Sequence, residues 1–199
     1  MATLKLGTTT AISESSGVLT IPNITFPAGH IIQAKHINYT AGQSLAVSTT
    51  NTFYDWPTVI KGEITNVLAS SHILITIMYS PQSGDGENYN SRVEKSSDGT
   101  DSGTFSAVGG TGDVTDTQIA CHDTFFPGTS QNIYGHDKAR RSIQIIDTTP
   151  LTGTNQYRFR SNNSAQYSGT IYLGRSIGGG TAQYDNIAPT TFNLMEIAQ

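Results

Sequence analysis

Charge is scarce in this sequence. Lys, Arg, Asp and Glu together make up 13% of its residues, against roughly 25% in an average soluble domain. The net charge of -4 and a pI of about 5.6 leave no electrostatic case for binding nucleic acid or an anionic membrane. Cysteine is scarcer still. Cys121 stands alone, so no intrachain disulfide is available and the fold owes nothing to oxidation. Long apolar runs are missing too, and nothing approaches the ~20 residues of a membrane-spanning helix. Lys5, Thr8 to Thr10 and Glu14 interrupt every candidate signal peptide. The expectation is a protein made and kept in a cytoplasm, or released from one by lysis. Helical periodicity is nearly absent, with one candidate helical turn at Asp137 to Arg141.

In place of charge stand Ser, Thr, Asn and 20 Gly, the usual dressing of turn-rich β proteins. Strand signals follow one another. Gln156 to Arg160 alternates, with Tyr157 and Phe159 on one face and two arginines on the other. Val59 to Thr65 sets Ile60 and Ile64 against Lys61 and Glu63. Thr170 to Gly174 places Ile171 and Leu173 together, and Ser142 to Asp147 also reads as a strand. Turn chemistry ends each run, at Pro81 to Gly86, Gly109-Gly110, Ser161 to Ser164 and Gly178 to Gly180. Two runs, Ile73 to Tyr79 and Phe192 to Ile197, are apolar on both faces. In a sandwich that pattern requires a second cover, a loop or another subunit. The stretch from Gln82 to Thr117 reads as loops with a short strand near Arg92 to Lys95. The predicted architecture is an all-β, two-sheet antiparallel jelly-roll sandwich. Its core includes Ile75, Ile77, Ile143, Ile145, Phe159, Leu173 and Phe192.

The N-terminal texture differs. Residues 1–28 are rich in Thr and Ser, and Pro22 forbids a central strand while allowing an edge. They are expected to form an extended arm that orders on partners, with residues 29–199 forming the sandwich domain.

A search for chemistry yields no catalytic set. Cys121-His122-Asp123 is the one concentrated candidate. On a strand its neighbours point to opposite faces and cannot pair, so Cys121 reads as a buried thiol beside a turn histidine. No Gly-x-Ser-x-Gly elbow occurs. The histidines at 30, 36, 72, 122 and 136 lack metal-ligand spacing. His30 and His36 would share one strand face, roughly 20 Å apart, as surface or interface residues, and His136-Asp137 would begin a turn. Asp98 to Gly103, Asp85 to Asn88, and Asp113 with Asp116 lack the six or so converging oxygens of a calcium site. Gly109 to Gly112 opens no helix and is not a phosphate cradle. The sequons at Asn23, Asn38 and Asn162 carry no weight without a secretory signal. Tyr89, Tyr134 and Tyr184 fall in expected loops, where they pack over backbone or stack on a sugar or protein partner. No cofactor, metal or catalytic residue is expected, and any ligand-binding residues stay unknown.

The order of several stretches carries a resemblance. They are Pro27 to Gln33, Asn51 to Trp56, Ser70 to Ile75, Ser142 to Pro150, Thr154 to Phe159 and the closing Asn193-Leu194-Met195-Glu196-Ile197. Across residues 27–199 the chain resembles the C-terminal jelly-roll knobs of marine and cyanobacterial phage fibre and virion-surface proteins. The resemblance implies a homotrimer with a tumour-necrosis-factor-like jelly roll and no catalytic residues. Fibre members place a repetitive stem and a tail-docking domain before the knob, whereas here a short arm precedes it. The expectation is a non-enzymatic phage structural protein that decorates the capsid surface through residues 1–28. Its partners would be itself and other virion proteins, with a host-surface glycan a further possibility, but neither nucleic acid nor membrane. A tail-fibre tip binding a host glycan, or a carbohydrate-binding module, are the alternatives.

Overall fold

The computed structural model describes residues 3–6, 9–15, 18–20, 26–47, 52–83, 89–109, 121–125, 140–163, 169–174 and 188–199. Every regular element among them is a strand. In chain order these are β1 Thr3–Leu6, β2 Thr9–Ser15, β3 Val18–Thr20, β4 Ile31–Tyr39, β5 Gln43–Val47, β6 Tyr54–Val67, β7 His72–Tyr79 and β8 Pro81–Ser83. They continue with β9 Tyr89–Ser96, β10 Phe105–Ala107, β11 Asp123–Phe125, β12 Arg141–Asp147, β13 Gly153–Asn163, β14 Gly169–Leu173 and β15 Thr190–Ile197.

Two sheets make the sandwich. One runs β12-β7-β15-β4, the other β10-β9-β13-β6, with β11 continuing the β10 position along β9. Among the eight main positions the first sheet therefore holds the first, third, sixth and last strands. The second sheet holds the second, fourth, fifth and seventh. That interleaving is the double Greek key of a jelly roll, and the expected fold class is what the chain adopts. A third sheet, β5-β14-β8, is built from the connections β4 to β6, β13 to β15 and β7 to β9. It brings three crossovers to one end of the sandwich.

The core follows from the alternation in the sequence. Ile73, Ile75 and Ile77 of β7, Ile60 and Ile64 of β6, Phe159 and Tyr157 of β13, and Phe192 and Leu194 of β15 point between the sheets and are buried. Ile143, Leu173 and Ile171 are buried as well, while Ile145 is partly buried against the same cluster. A β6 side chain cannot stand everywhere in this layer. A Cβ at Gly62 would sit 2.9 Å from the Phe192 ring, so glycine there lets the sheets close.

Three expectations change. Among the described residues of the stretch Gln82 to Thr117, Tyr89–Ser96 is an eight-residue strand bonded on both sides, longer than the short strand expected near Arg92 to Lys95. Its inward face carries only Val93 as a large aliphatic group, which is why periodicity marks only its middle and not its length. Tyr89 accordingly begins a strand instead of occupying a loop. His30 lies just before β4 and does not share a strand with His36; its amide bonds Pro27 O at 3.1 Å. At the N-terminus, β1, β2 and β3 pair with one another in an antiparallel meander. Extended chain is present, and its backbone finds partners within the segment. Pro22, Tyr134, Tyr184, His136 and the candidate turn at Asp137 fall outside the described residues, as do Asp85, Glu87, Asp113 and Asp116.

Candidate functional site

Cys121-His122-Asp123 sits where the fourth strand of one sheet is interrupted between β10 and β11. The His122 ring fills that gap in the ladder. Its Nδ1 accepts the Val93 amide at 2.8 Å, and its Nε2–H donates to Val108 O at 3.0 Å, which fixes the neutral Nε2–H tautomer. Burial, helped by the positive charge of Arg92, holds the ring below the usual histidine pKa against the pull of Val108 O and Glu94. With both nitrogens engaged by backbone, the ring has no lone pair for a general base. The Cys121 Sγ faces Asn90 Oδ1 at 4.0 Å. The three residues are thus brought together in sequence but not in chemistry.

Asp123 belongs to a different group. It receives the Tyr79 hydroxyl and the Arg141 guanidinium, while Tyr79 Oη lies 2.8 Å from Ser91 Oγ. Burial first, and then Asp123, push the Tyr79 phenol above its ordinary pKa; bonding to Asp123 likewise raises Arg141. At the far end of β12 a second group repeats the scheme. Tyr157 Oη donates to Asp147 Oδ2 at 2.8 Å, and Lys95 Nζ lies 2.9 Å from the same oxygen. Each group joins β12 or β7 in one sheet to β9, β11 or β13 in the other. A buried carboxylate is tolerable only when so completely bonded. These are clamps along one edge of the sandwich. Sequence reasoning passed over them, although charged residues at inward positions of alternating strands were visible at Asp147 and Lys95.

The outer surfaces of the two sheets differ. On the β10-β9-β13-β6 sheet, Glu94 is fully buried and meets Arg160 at 2.8 Å; Arg92 flanks the same carboxylate. Arg160 continues to Asp55 at 2.7 Å, Arg158 joins Asp55 and Asp101, and Lys61 also reaches Asp101. Burial alone would raise Asp55, but Arg160 and Arg158 outweigh it and hold the carboxyl below its usual range. Arg158 stacks 3.9 Å over the Phe105 ring and Arg92 lies 4.1 Å over Phe53. The predicted outward arginines of β13 thus form a network that closes on itself.

The outward positions of β12, β7, β15 and β4 present the opposite chemistry. The register aligns Ile146, Leu74, Met195 and Ala34 in one row across the four strands. Beside it Gln144, Thr76, Asn193 and His36 form a polar row, in which His36 Nδ1 and Asn193 Oδ1 lie 2.6 Å apart. Among the described residues no Asp, Glu, Lys or Arg occupies an outward position of these strands. Ile146, Met78 and Ile31 are 48%, 37% and 56% exposed. The expectation of strands apolar on both faces is met on β7 and β15: Leu74, Met195 and Ile197 are half-buried where their inward neighbours are buried.

The remaining candidates have structural work. Asp98 Oδ1 accepts from Ser96 Oγ, Thr100 N and Thr100 Oγ1 at 2.8 to 2.9 Å, which turns the β9–β10 connection inward on itself. The Thr100 amide leads in holding Asp98 below the ordinary carboxylate range. Gly99, at φ +75°, backs so closely on Thr154 that a Cβ would lie 2.3 Å from its carbonyl oxygen, where only glycine fits. Glu196, in the closing Met-Glu-Ile, is fully buried. It takes Gln33 Nε2 at 2.6 Å and the Leu68 amide at 2.7 Å, tying the last strand to β4 and to the β6–β7 turn.

No family model matches this chain, and neither does any curated protein. Among solved structures, it is similar to the VP2 subviral particle of infectious bursal disease virus at 10% identity and a TM-score of 0.35. That match covers 95% of this chain and 42% of the other. A structure of the Gx strain of the same virus matches at 11% identity and a TM-score of 0.33, covering 94% and 42% respectively. The chain thus spans about 42% of the length of these neighbours.

Proposed function

We propose that this chain is a non-enzymatic structural protein of a bacteriophage virion: a trimeric surface knob or short spike that decorates the capsid through residues 1–28. One observation carries the reading. A four-stranded sheet presents an outer surface without charge among the described residues, with Ile31, Met78 and Ile146 exposed on it. Such a surface suits assembly, since few ions need desolvating on contact. The phage assignment itself rests on the ordered motifs from Pro27 to Ile197. The nearest thing to a catalytic cluster is committed elsewhere, His122 to a strand ladder and Asp123 to an inter-sheet clamp. At the N-terminus, β1 and β3 are the edges of their small sheet, and free strand edges are suited to accepting a strand from another protein. Deleting residues 2–26 should leave a soluble trimer that no longer enters particles, as read by light scattering and by immunoblotting of purified virions. Normal incorporation would defeat the anchoring role.

A tail-fibre tip that binds a host glycan is the second reading. It is favoured by the gathering of three crossovers into β5-β14-β8 at one end, because connections clustered on a rigid scaffold are where binding residues concentrate. Specific retention on a glycan array would support it over simple decoration.

A further inference from the structure

We infer that His122 is an acid-released pin: when its ring takes a proton, it leaves the gap between β10 and β11 and uncovers the Val93 edge of β9. The partner line along that edge comes in two pieces. β11 pairs with Tyr89 to Ser91, and β10 with Glu94 to Ser96. The chain leaves the line at Val108, whose amide donates to Val93 O at 3.0 Å. It rejoins at His122, whose amide donates to Ser91 O at 2.9 Å. A continuous strand would supply a carbonyl for the Val93 amide. Here the His122 Nδ1 lone pair takes its place at 2.8 Å. A backbone carbonyl keeps its lone pairs throughout the biological pH range, whereas an imidazole gives up its one on protonation.

Protonation turns this bond into a clash. The imidazolium is a donor at both nitrogens, so Nδ1–H would point at Val93 N–H while Nε2–H still faces Val108 O. Burial first, and then the charge of Arg92, keep the closed ring below its ordinary pKa. A released ring therefore takes the proton more easily than a pinned one. Among the described residues, the charges around the ring are already committed. On β9, Glu94 is held by Arg92 and Arg160. On β11, Asp123 is bonded to Arg141 of β12 and to Tyr79 of β7. Cys121, the preceding residue, faces Asn90. Release of the ring leaves Val93 N–H without its acceptor at a break in the ladder. An unpaired strand edge accepts strands from elsewhere, so an edge closed at neutral pH becomes a pairing edge in acid.

Amide exchange, followed by NMR on the full chain across pH and corrected for intrinsic exchange, tests this. Val93 is compared with Ile75, which sits in a strand paired on both sides. A histidine held low stays pinned above about pH 6.5 and is released progressively as the pH falls towards its closed-state value. Val93 protection should fall by up to about tenfold per pH unit across that window. The His122 ring resonances should titrate in step, and Ile75 should stay far better protected. His122→Gln offers an amide oxygen to Val93 and an amide N–H to Val108 but takes no proton, so it should remove the pH dependence. If His122→Gln does not fold, the wild type decides: Val93 exchange and ring titration that coincide support the switch, and a mismatch overturns it. Val93 protection that ignores pH, that equals Ile75 throughout, or that falls equally in His122→Gln also overturns it.

Discussion

The two outer surfaces of the sandwich solve the same problem in opposite ways. A sheet packed on one side must present something on the other. The β10-β9-β13-β6 sheet presents ions and closes them among themselves, Glu94 to Arg160, Arg160 to Asp55, Asp55 to Arg158. The β12-β7-β15-β4 sheet presents aliphatic and amide groups. The first surface is complete within one copy. The second leaves Met78 and Ile146 exposed. Of the two outer surfaces, among the described residues, it is the β10-β9-β13-β6 sheet that carries the acids and bases, most of them in ion pairs.

That contrast can be broken or sharpened by mutation. Both surfaces depend on the layer between them, so Ile75→Ala should have the largest effect. It removes fully buried aliphatic groups and should cost ~2–5 kcal/mol in chemical denaturation, irrespective of assembly. Glu94→Ala should come next. It strands Arg92 beside a network in which Arg160 retains Asp55, for a loss of about 2 kcal/mol, below the figure for fully buried pairs because both arginines are 23% exposed. His122→Ala should cost ~1–3 kcal/mol by leaving the Val93 amide without its acceptor. Wild-type stability should also fall with pH through this residue. A histidine held below its ordinary value contributes fully above about pH 6.5. That contribution is lost as the pH drops through the lower folded value, and His122→Ala should flatten this part of the profile. Ile146→Ser should have the smallest effect on the isolated fold, within ~0.5 kcal/mol, while still weakening assembly. An Ile146→Ser cost matching that of Ile75→Ala would show the outer surface to be core, and the contrast would be wrong.

Much of the fold was legible because strand alternation is short-range. Tyr157 and Phe159 against Arg158 and Arg160, or Ile60 and Ile64 against Lys61 and Glu63, announce their faces in consecutive residues, and the structure places them so. β9 was not legible along its length. Its inward side holds Ser91, Val93 and Lys95, and what makes it a strand is pairing with β13, more than 60 residues away. The same limit hid the clamps. Tyr79, Asp123 and Arg141 are far apart in sequence, and nothing local at Asp123 points to Tyr79. His122 looked chemically suggestive beside Cys121 because sequence shows adjacency, whereas its actual partners, Val93 and Val108, are set by a gap in a ladder. The uncharged surface was half legible. Apolar residues on both faces of β7 and β15 signalled a second cover; the register that joins four strands into one chargeless surface came only with the fold.

Thiol accessibility on the two surfaces tests the account most directly. In a Cys121→Ala background, Met78→Cys reports on the uncharged sheet and Glu63→Cys on the charged one, both at exposed positions of the single copy. Maleimide labelling is followed above and below the concentration at which the protein assembles. The account predicts that Met78→Cys is protected in the assembled protein and reactive once it dissociates, while Glu63→Cys labels equally in both. Equal labelling of Met78→Cys in the two states, or protection of Glu63→Cys instead, would contradict it.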